Sequence, residues 1–227
     1  MLLAIDTATR AMSLALHDGT SLLAEQTIYI GNHHTTALSP AIDAILSQCD
    51  VQMDDLTGLA VAIGPGSYTG VRIGVSLAKG LATYRQLPLV GVTTLDILAE
   101  GQPYFQGHAL IALVGAGRGR VIVRSYRWRK GKWVSRVEPK ILDWDSLLET
   151  IDGPAYLTGE INDVGFEAIE KAMSRDIPLH LVPPVNRLRR AGYLAEIAWE
   201  QLNSSDDEDG FNPAQVTPIY LKSERAT

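Results

Sequence analysis

Residues 64–82 read GPGSYTGVRIGVSLAKGLA, a glycine-rich turn that runs directly into a helix-like segment. The turn follows the apolar run Leu59–Ile63, whose length and composition are typical of a central strand covered on both faces. Backbone amides at the start of such a helix can bind an anion. The spacing matches neither the P-loop motif nor the dinucleotide-binding motif, and Lys79 stands about three turns along the helix. The segment is therefore either a phosphate site or a turn shaped by Gly64 and Gly66.

The predicted helix carries small residues at every fourth position, Gly70, Gly74 and Ala78. A glycine inside a helix costs about 1 kcal/mol relative to alanine, so two of them indicate close approach by a neighbouring segment. Most of the other side chains are apolar, and a helix that is apolar nearly all round is buried on nearly all sides. We therefore expect one face to pack on a sheet and another to meet a second helix, which is Thr35–Gln48, a helix of another subunit, or both.

The order of predicted elements indicates an α/β protein of two domains. Three antiparallel strands open the chain, an amphipathic helix at Thr35–Gln48 follows, and further strands and helices extend to residue 101. Gln102-Pro103 marks a boundary, after which strands again precede helices. The sequence thus predicts domains at 1–101 and 102–227, with the last helix and the tail as candidates to pack back on the first domain.

The composition restricts the possible functions. The 227 residues include 20 Lys and Arg, 26 Asp and Glu and one cysteine, which gives a net charge of −6. This excess of acid argues against free-standing nucleic-acid binding, because phosphate contacts need concentrated positive charge. A single cysteine suits a reducing compartment, and Asp6 interrupts the apolar start that a signal peptide requires. Since no apolar run approaches the about 20 residues of a membrane span, we expect a cytoplasmic protein with no membrane partner.

The end of the first predicted strand places a carboxylate and two hydroxyls together, at Asp6, Thr7 and Thr9. Such side chains are typical of a phosphate or metal site, but also of a turn between strands, and the sequence leaves both open. The adjacent His33 and His34 point in different directions and cannot chelate as an i, i+4 pair does. No nucleophile motif is present either. The sequence therefore predicts no catalytic residue and no metal site in this chain.

Residues 115–137 contain eight basic side chains and no acidic one, with Trp128 and Trp133 among them. A basic strand pair with aromatic residues is typical of a surface that faces nucleic acid. A solvated hairpin edge, whose charges prevent aggregation, gives the same pattern. If the surface faces RNA, the candidates for contact are Arg124, Arg127, Arg129 and Lys130.

Several of these segments together resemble the TsaB (YeaZ) family of bacterial tRNA threonylcarbamoyladenosine biosynthesis proteins. The segment 64–82 is the most specific, and supporting similarity lies at residues 3–9, 34–40, 91–95 and 218–221. The resemblance implies an actin/Hsp70/sugar-kinase-like fold of two lobes, each with a mixed sheet and flanking helices. One segment departs from the family pattern: residues 115–122 read GAGRGRVI and lack the acidic residues and the tyrosine that relatives carry there.

The resemblance further implies a non-catalytic scaffold subunit that binds and activates a TsaD-type transferase, which adds a threonylcarbamoyl group to the adenosine beside the tRNA anticodon. A TsaE-type ATPase is expected to join them, and tRNA is expected to bind through the complex. ATP and metal are expected on the partner subunits and not tightly on this chain, which lacks the H-x-x-x-H pair of TsaD-type enzymes. Alone, the chain is expected to form a homodimer. Two alternatives stay open: a nucleotide-hydrolysing or glycoprotease-like enzyme of the same fold, and a subunit that binds tRNA directly.

In this interpretation the turn is a vestige of a nucleotide-binding fold, and the Thr35–Gln48 and Thr69–Tyr84 helices provide the partner surface. The predicted vestigial phosphate-binding residues are Asp6, Thr7, Thr9, Gly64 and Gly66. The predicted partner interface comprises Leu38, Ala41, Ile42, Ile45, Gly70, Val71, Gly74, Ala78 and Leu81.

Overall fold

The computed structural model describes residues 1–175, 177–204 and 208–221. These residues divide into two compact units, one formed by Met1–Ile97 together with Arg190–Tyr220 and the other mainly by Leu98–Arg189.

The strands are β1 (Leu2–Asp6), β2 (Ala11–His17), β3 (Leu22–Tyr29), β4 (Gly58–Ala62), β5 (Leu89–Val92), β6 (Ala109–Gly117), β7 (Arg120–Arg129), β8 (Lys132–Val134), β9 (Lys140–Leu142), β10 (Ala155–Gly159) and β11 (Leu179–Leu181). The helices are α1 (His34–Gln48), α2 (Tyr68–Arg85), α3 (Thr94–Glu100), α4 (Trp144–Glu149), α5 (Asp163–Met173) and α6 (Ala191–Ser204), with short 3₁₀ turns at Met53–Asp55, Pro184–Asn186, Glu208–Phe211 and Pro213–Gln215.

The five-stranded sheet of the first unit has the order β3-β2-β1-β4-β5. β1 pairs antiparallel with β2 and parallel with β4, so the strand that ends at Asp6 is central. β1 and β4 are buried along their whole length, as expected for strands that helices cover on both faces. The prediction of three antiparallel strands at the start of the chain is confirmed.

Helices cover both faces of this sheet. Gly74 of α2 lies against Val61 of β4, whereas Gly58 on the same strand lies against Leu202 of α6. Because side chains alternate along a strand, α2 and α6 must cover opposite faces. The helix α1 contacts both α2 and β2 and therefore shares the face of α2.

The start of α6 is fixed by polar side chains of the first sheet. Glu25 on β3 accepts hydrogen bonds from Gly192 N and from Arg190 Nε, each at 2.7 Å. Ser13 Oγ on β2 accepts a hydrogen bond from Ala191 N at 2.8 Å. The amides at a helix start have no partner within the helix, so these bonds satisfy them and position α6 on the first unit.

The second unit repeats the strand order of the first. Its sheet has the order β11-β10-β6-β7-β8, and β9 also pairs with β7. The strand β6 pairs antiparallel with β7 and parallel with β10. In each unit the first strand is therefore central, with antiparallel strands to one side and parallel strands to the other. This confirms the repeated order of elements that the sequence predicted.

The helices α4 and α5 pack on one face of the second sheet. Trp144 of α4 and Ile169 of α5 join Leu113 and Leu157 in a buried cluster. The Trp144 ring leaves no room for a side chain at Gly165, where a Cβ would lie 2.3 Å from the ring. Close contact between these two helices thus depends on that glycine.

Candidate functional site

The glycine-rich turn lies directly on the turn that follows β1. Ser67 N donates a hydrogen bond to Ala8 O at 2.7 Å, and a Cβ at Gly66 would lie 2.1 Å from the same oxygen. Only glycine fits there, because no side-chain carbon can approach a backbone oxygen so closely. Ser67 also caps α2, since its Oγ accepts a hydrogen bond from Gly70 N at 3.2 Å. The glycines of the turn therefore permit contact between two backbone segments of the same unit.

The stripe of small residues on α2 faces Thr7, the residue that follows β1. A Cβ at Gly70 would lie 2.2 Å from Thr7 O, and one at Gly74 would lie 2.3 Å from Thr7 Oγ1. Thr7 Oγ1 donates a hydrogen bond to Gly70 O at 2.7 Å. Ala78, one turn further along, is fully buried. In this structure the stripe packs on the chain's own backbone and side chain at Thr7, directly after β1.

Most of the predicted partner interface is buried within the first unit of the isolated chain. These residues therefore present no exposed surface in this structure, and their contact with a partner stays a prediction. A stripe of small residues indicates close packing, but it does not say whether the neighbour belongs to the same chain. The predicted interface residues that lie in the unit's own core are Leu38, Ile42, Ile45, Gly70, Val71, Gly74 and Ala78.

A second apolar stripe on α2 remains half-buried. Ile73, Leu77 and Leu81 recur at every fourth residue, and Ala37 and Ala41 on the neighbouring α1 are half-buried in the same way. We call these five residues the helix-pair face. Ala41 and Leu81 belong to the predicted interface, whereas the other three were missed. Their four-residue spacing was visible in the sequence. The prediction instead assigned the interface to the small residues one position further along, Gly70, Gly74 and Ala78.

The C-terminal segment, residues 214–219, contacts both the glycine-rich turn and Lys79, the lysine nearest to that turn in the sequence. Lys79 Nζ donates hydrogen bonds to the carbonyl oxygens of Ala214 and Val216, at 3.1 and 2.9 Å. Further along, a Cβ at Gly64 would lie 3.0 Å from Ile219 O. Lys79 therefore holds the C-terminal segment against α2, and its ammonium group is engaged by these two carbonyl oxygens.

The predicted vestigial phosphate-binding side chains lie together and are buried. Asp6 Oδ1 accepts a hydrogen bond from Ala8 N at 2.9 Å, and His34 Nε2 lies 2.7 Å from Thr9 O. Thr7 is engaged with α2 as described above. These contacts belong to the fold itself, and binding of phosphate at Asp6, Thr7 and Thr9 stays a prediction.

The basic strand pair is a β-hairpin formed by β7 and β8. Lys130 and Gly131 connect the strands, and their φ angles are 50° and 86°. Two positive φ values are typical of the type I′ turn, whose twist matches that of a two-residue hairpin. Arg129 pairs with Lys132 directly beside this turn.

The structure places the four candidate RNA-facing residues on this hairpin. Arg127, Arg129 and Lys130 are exposed, whereas Arg124 is half-buried and its Nε donates a hydrogen bond to Val137 O at 2.9 Å. The exposed three lie at the end of β7 and in the turn. Their contact with RNA stays a prediction.

Metal ligands and membrane spans are both absent from the part of the chain that the structure describes. Among the side chains of residues 1–175, 177–204 and 210–221, no group of three His, Cys, Asp or Glu is placed to hold a metal ion. Within those same ranges, every helix is too short or too polar to cross a membrane.

Comparison with known proteins links the chain to tRNA modification. The family model for TsaD, tRNA N6-adenosine threonylcarbamoyltransferase, matches residues 27–179. A Haemophilus influenzae protein named tRNA threonylcarbamoyladenosine biosynthesis protein TsaB is 38% identical over 98% of this chain and 94% of its own length. The Bacillus subtilis protein of the same name is 34% identical over 76% of each chain.

Solved structures agree with the fold. YeaZ from Pseudomonas aeruginosa has a TM-score of 0.76 at 25% identity and covers 96% of this chain and 99% of its own. At 12% identity, the Acidaminococcus fermentans (R)-2-hydroxyglutaryl-CoA dehydratase component A has a TM-score of 0.52, a likeness of fold alone. The two mixed sheets with flanking helices have the actin/Hsp70/sugar-kinase-like fold, as the family resemblance implied.

Proposed function

This chain belongs to the TsaB (YeaZ) family, and we propose that it is a non-catalytic subunit in the formation of threonylcarbamoyladenosine in tRNA, where it binds and activates a TsaD-type transferase. The names of its relatives support the pathway. The non-catalytic role is supported by the glycine turn, whose nearest lysine, Lys79, is engaged by backbone carbonyls.

The helix-pair face is the observation that carries this proposal. Its apolar side chains lie on two adjacent helices of 15 and 18 residues and are only half-buried. Complete burial of a leucine-sized side chain contributes about 1.5–3 kcal/mol relative to full exposure, so covering what remains exposed of several favours association. Exposed polar residues such as Arg72 and Ser76 border the stripe on α2. An apolar centre with a polar rim is typical of a protein interface.

The family model points to the kind of partner. Its match over residues 27–179 includes both α1 and α2, so a TsaD-type chain carries counterparts of these helices. Two similar helix pairs can meet face to face around an approximate two-fold axis. In our proposal the TsaD-type subunit covers the helix-pair face in the complex, and a second copy of this chain covers it in a homodimer when the partner is absent.

We further propose how the remaining components join. A TsaE-type ATPase associates with the assembled pair, tRNA binds through the complex, and ATP and metal are held by the partner subunits. The machinery works in the cytoplasm.

Reconstitution with proteins of the same organism tests the proposed function. Threonylcarbamoyl transfer to tRNA is measured with TsaD-type and TsaE-type proteins, with and without this chain. We expect transfer to fall to background without the chain and to return when it is added. Full transfer in its absence would contradict the proposal. ATP hydrolysis or peptide cleavage by the isolated chain would favour the enzyme alternative.

A further inference from the structure

The rings of Trp128 and Trp133 form the aromatic part of the β7–β8 hairpin. They pair directly across the two strands, with ring centroids 5.3 Å apart in edge-to-face geometry. Trp133 is only 7% exposed, and its Nε1 donates a hydrogen bond to Gln102 O at 3.1 Å. Trp133 is therefore fixed in place and restricts the orientation of Trp128.

Tyr104 extends this ring pair to the surface. Its ring centroid lies 5.2 Å from that of Trp128, and the residue is 52% exposed. Trp128 itself is half-buried. We call Tyr104 and Trp128 the aromatic platform. Partly exposed aromatic rings that are held by contact with other rings allow a flat ligand to stack with a smaller loss of conformational freedom.

Three exposed cations lie next to the platform along the hairpin. Arg127 and Arg129 flank Trp128 on β7, and Lys130 lies in the turn. Side chains alternate along a strand, so the two arginines project from the face of the hairpin opposite Trp128, whereas Lys130 lies at its end. We call these three residues the cationic rim. Among the residues that the structure describes, no carboxylate forms an ion pair with any of these three.

The charge of this hairpin is local. Residues 115–137 contain no acidic residue, although the chain as a whole carries a net charge of −6. A positive patch on an acidic protein directs an anionic ligand to one place. A ligand that uses both the charges and the rings combines negative charge with a flat ring.

We propose that the β7–β8 hairpin binds single-stranded RNA that crosses the edge of the hairpin, with bases stacked on the aromatic platform and the neighbouring phosphates near the cationic rim. A single strand exposes base faces that a duplex keeps stacked internally, which is why aromatic side chains bind unpaired nucleotides. An acidic peptide would supply negative charge for the cationic rim but no base to stack on the aromatic platform. The proposal goes beyond the helix-pair face and needs no partner subunit; only the choice of RNA over DNA rests on the proposed function.

Fluorescence anisotropy with the full isolated chain tests this site. The probe is a labelled single-stranded RNA of 12 nucleotides, titrated over a salt series. Loss of one stacked base weakens binding by about five- to 150-fold, so we expect that change for Tyr104→Ala. Tyr104→Phe keeps the ring and is expected to bind like the wild type. Tyr84→Ala removes an exposed tyrosine from α2 in the first unit and is the matched control, with no change expected.

Charge variants separate stacking from electrostatic attraction. Arg127→Glu with Lys130→Glu should weaken binding and reduce the slope of log K against log salt by about one to two. If binding depends on these charges but Tyr104→Ala binds like the wild type, the stacking proposal is overturned. It is also overturned if an acidic peptide competes as well as unlabelled RNA does. The anisotropy test uses the isolated chain, whereas the reconstitution test measures transfer by the complex. RNA binding at the hairpin and the proposed function can therefore be contradicted independently of each other.

Discussion

Thr7 determines how closely β1 and α2 approach each other. Its carbonyl oxygen excludes any side chain at Gly70, and its hydroxyl donates to Gly70 O and occupies the space beside Gly74. Gly80, on the same helix, has no atom within 4 Å of the position that a Cβ would take. The glycines of α2 therefore have different roles: two permit a close contact, and the third lowers helix stability with no compensating contact to any residue that the structure describes.

Matched alanine substitutions test this distinction. Gly80→Ala should stabilise the isolated chain by about 0.8–1 kcal/mol, because alanine has the better helix propensity and the site is open. Gly70→Ala should destabilise it by about 1–3 kcal/mol, because the new Cβ would lie 2.2 Å from Thr7 O and the backbone must move. Urea unfolding monitored by circular dichroism measures both. Equal effects of the same sign would show that α2 does not pack on β1 in this way.

At the scale of single elements, α2 shows what sequence can and cannot predict. Its apolar composition and four-residue spacing predicted a buried helix, and the apolar run before it predicted a central strand, β4. The sequence did not identify the element that packs on the small residues of α2, because a stripe of small residues can pack against a strand or a helix equally well. The strand-to-helix contact at Thr7 is long-range in sequence, so only the folded chain reveals which stripe, Gly70–Gly74 or Ile73–Leu77, is left for a partner.

The hairpin shows the same limit. The charge run and the tryptophans were visible in sequence, and the strand pair was predicted. The platform was not, because Tyr104 lies more than twenty residues before Trp128 and joins it only through the fold.

The start of α4 depends on one carboxylate. Asp143 Oδ1 accepts a hydrogen bond from Ser146 N at 2.8 Å, and this bond, followed by one from the Ser146 hydroxyl, lowers the pKa of the Asp143 carboxyl below its ordinary value. Since the folded-state pKa lies below the unfolded-state pKa, the carboxylate stabilises the fold above the unfolded value. That contribution is lost as the pH falls through the folded value.

Comparison of the wild type with Asp143→Asn measures this contribution. Asparagine can still cap the helix but does not titrate. The difference in free energy of unfolding between the two proteins should be constant above about pH 5 and change as the pH falls below about 4, in favour of the variant. Urea unfolding at a series of pH values gives both curves. Parallel curves down to pH 3 would show that the cap has no influence on acid stability.

At the scale of the whole molecule, two units with the same strand order carry different surfaces. The first unit presents the helix-pair face, which we assign to a TsaD-type partner. The second presents the basic hairpin, which we assign to RNA. This division is consistent with a subunit that organises other components, since each surface suits association more than chemistry.

The central claim is that the helix-pair face binds the TsaD-type transferase, and its most direct test is the affinity of that pair after a charge is placed on the face. Leu77→Glu puts a carboxylate where an apolar partner surface must close, and burial of an unpaired charge is costly. Ala41→Glu does the same on α1, and Val164→Glu, at an exposed position on α5 of the second unit, is the matched control. Circular dichroism first establishes that each variant is folded.

Isothermal titration calorimetry with the TsaD-type protein of the same organism then gives the dissociation constants. We expect Leu77→Glu and Ala41→Glu each to weaken binding at least about tenfold, a loss of about 1.4 kcal/mol or more, while Val164→Glu binds like the wild type. If both folded variants on the helix-pair face bind the partner as tightly as the control does, that face is not the interface.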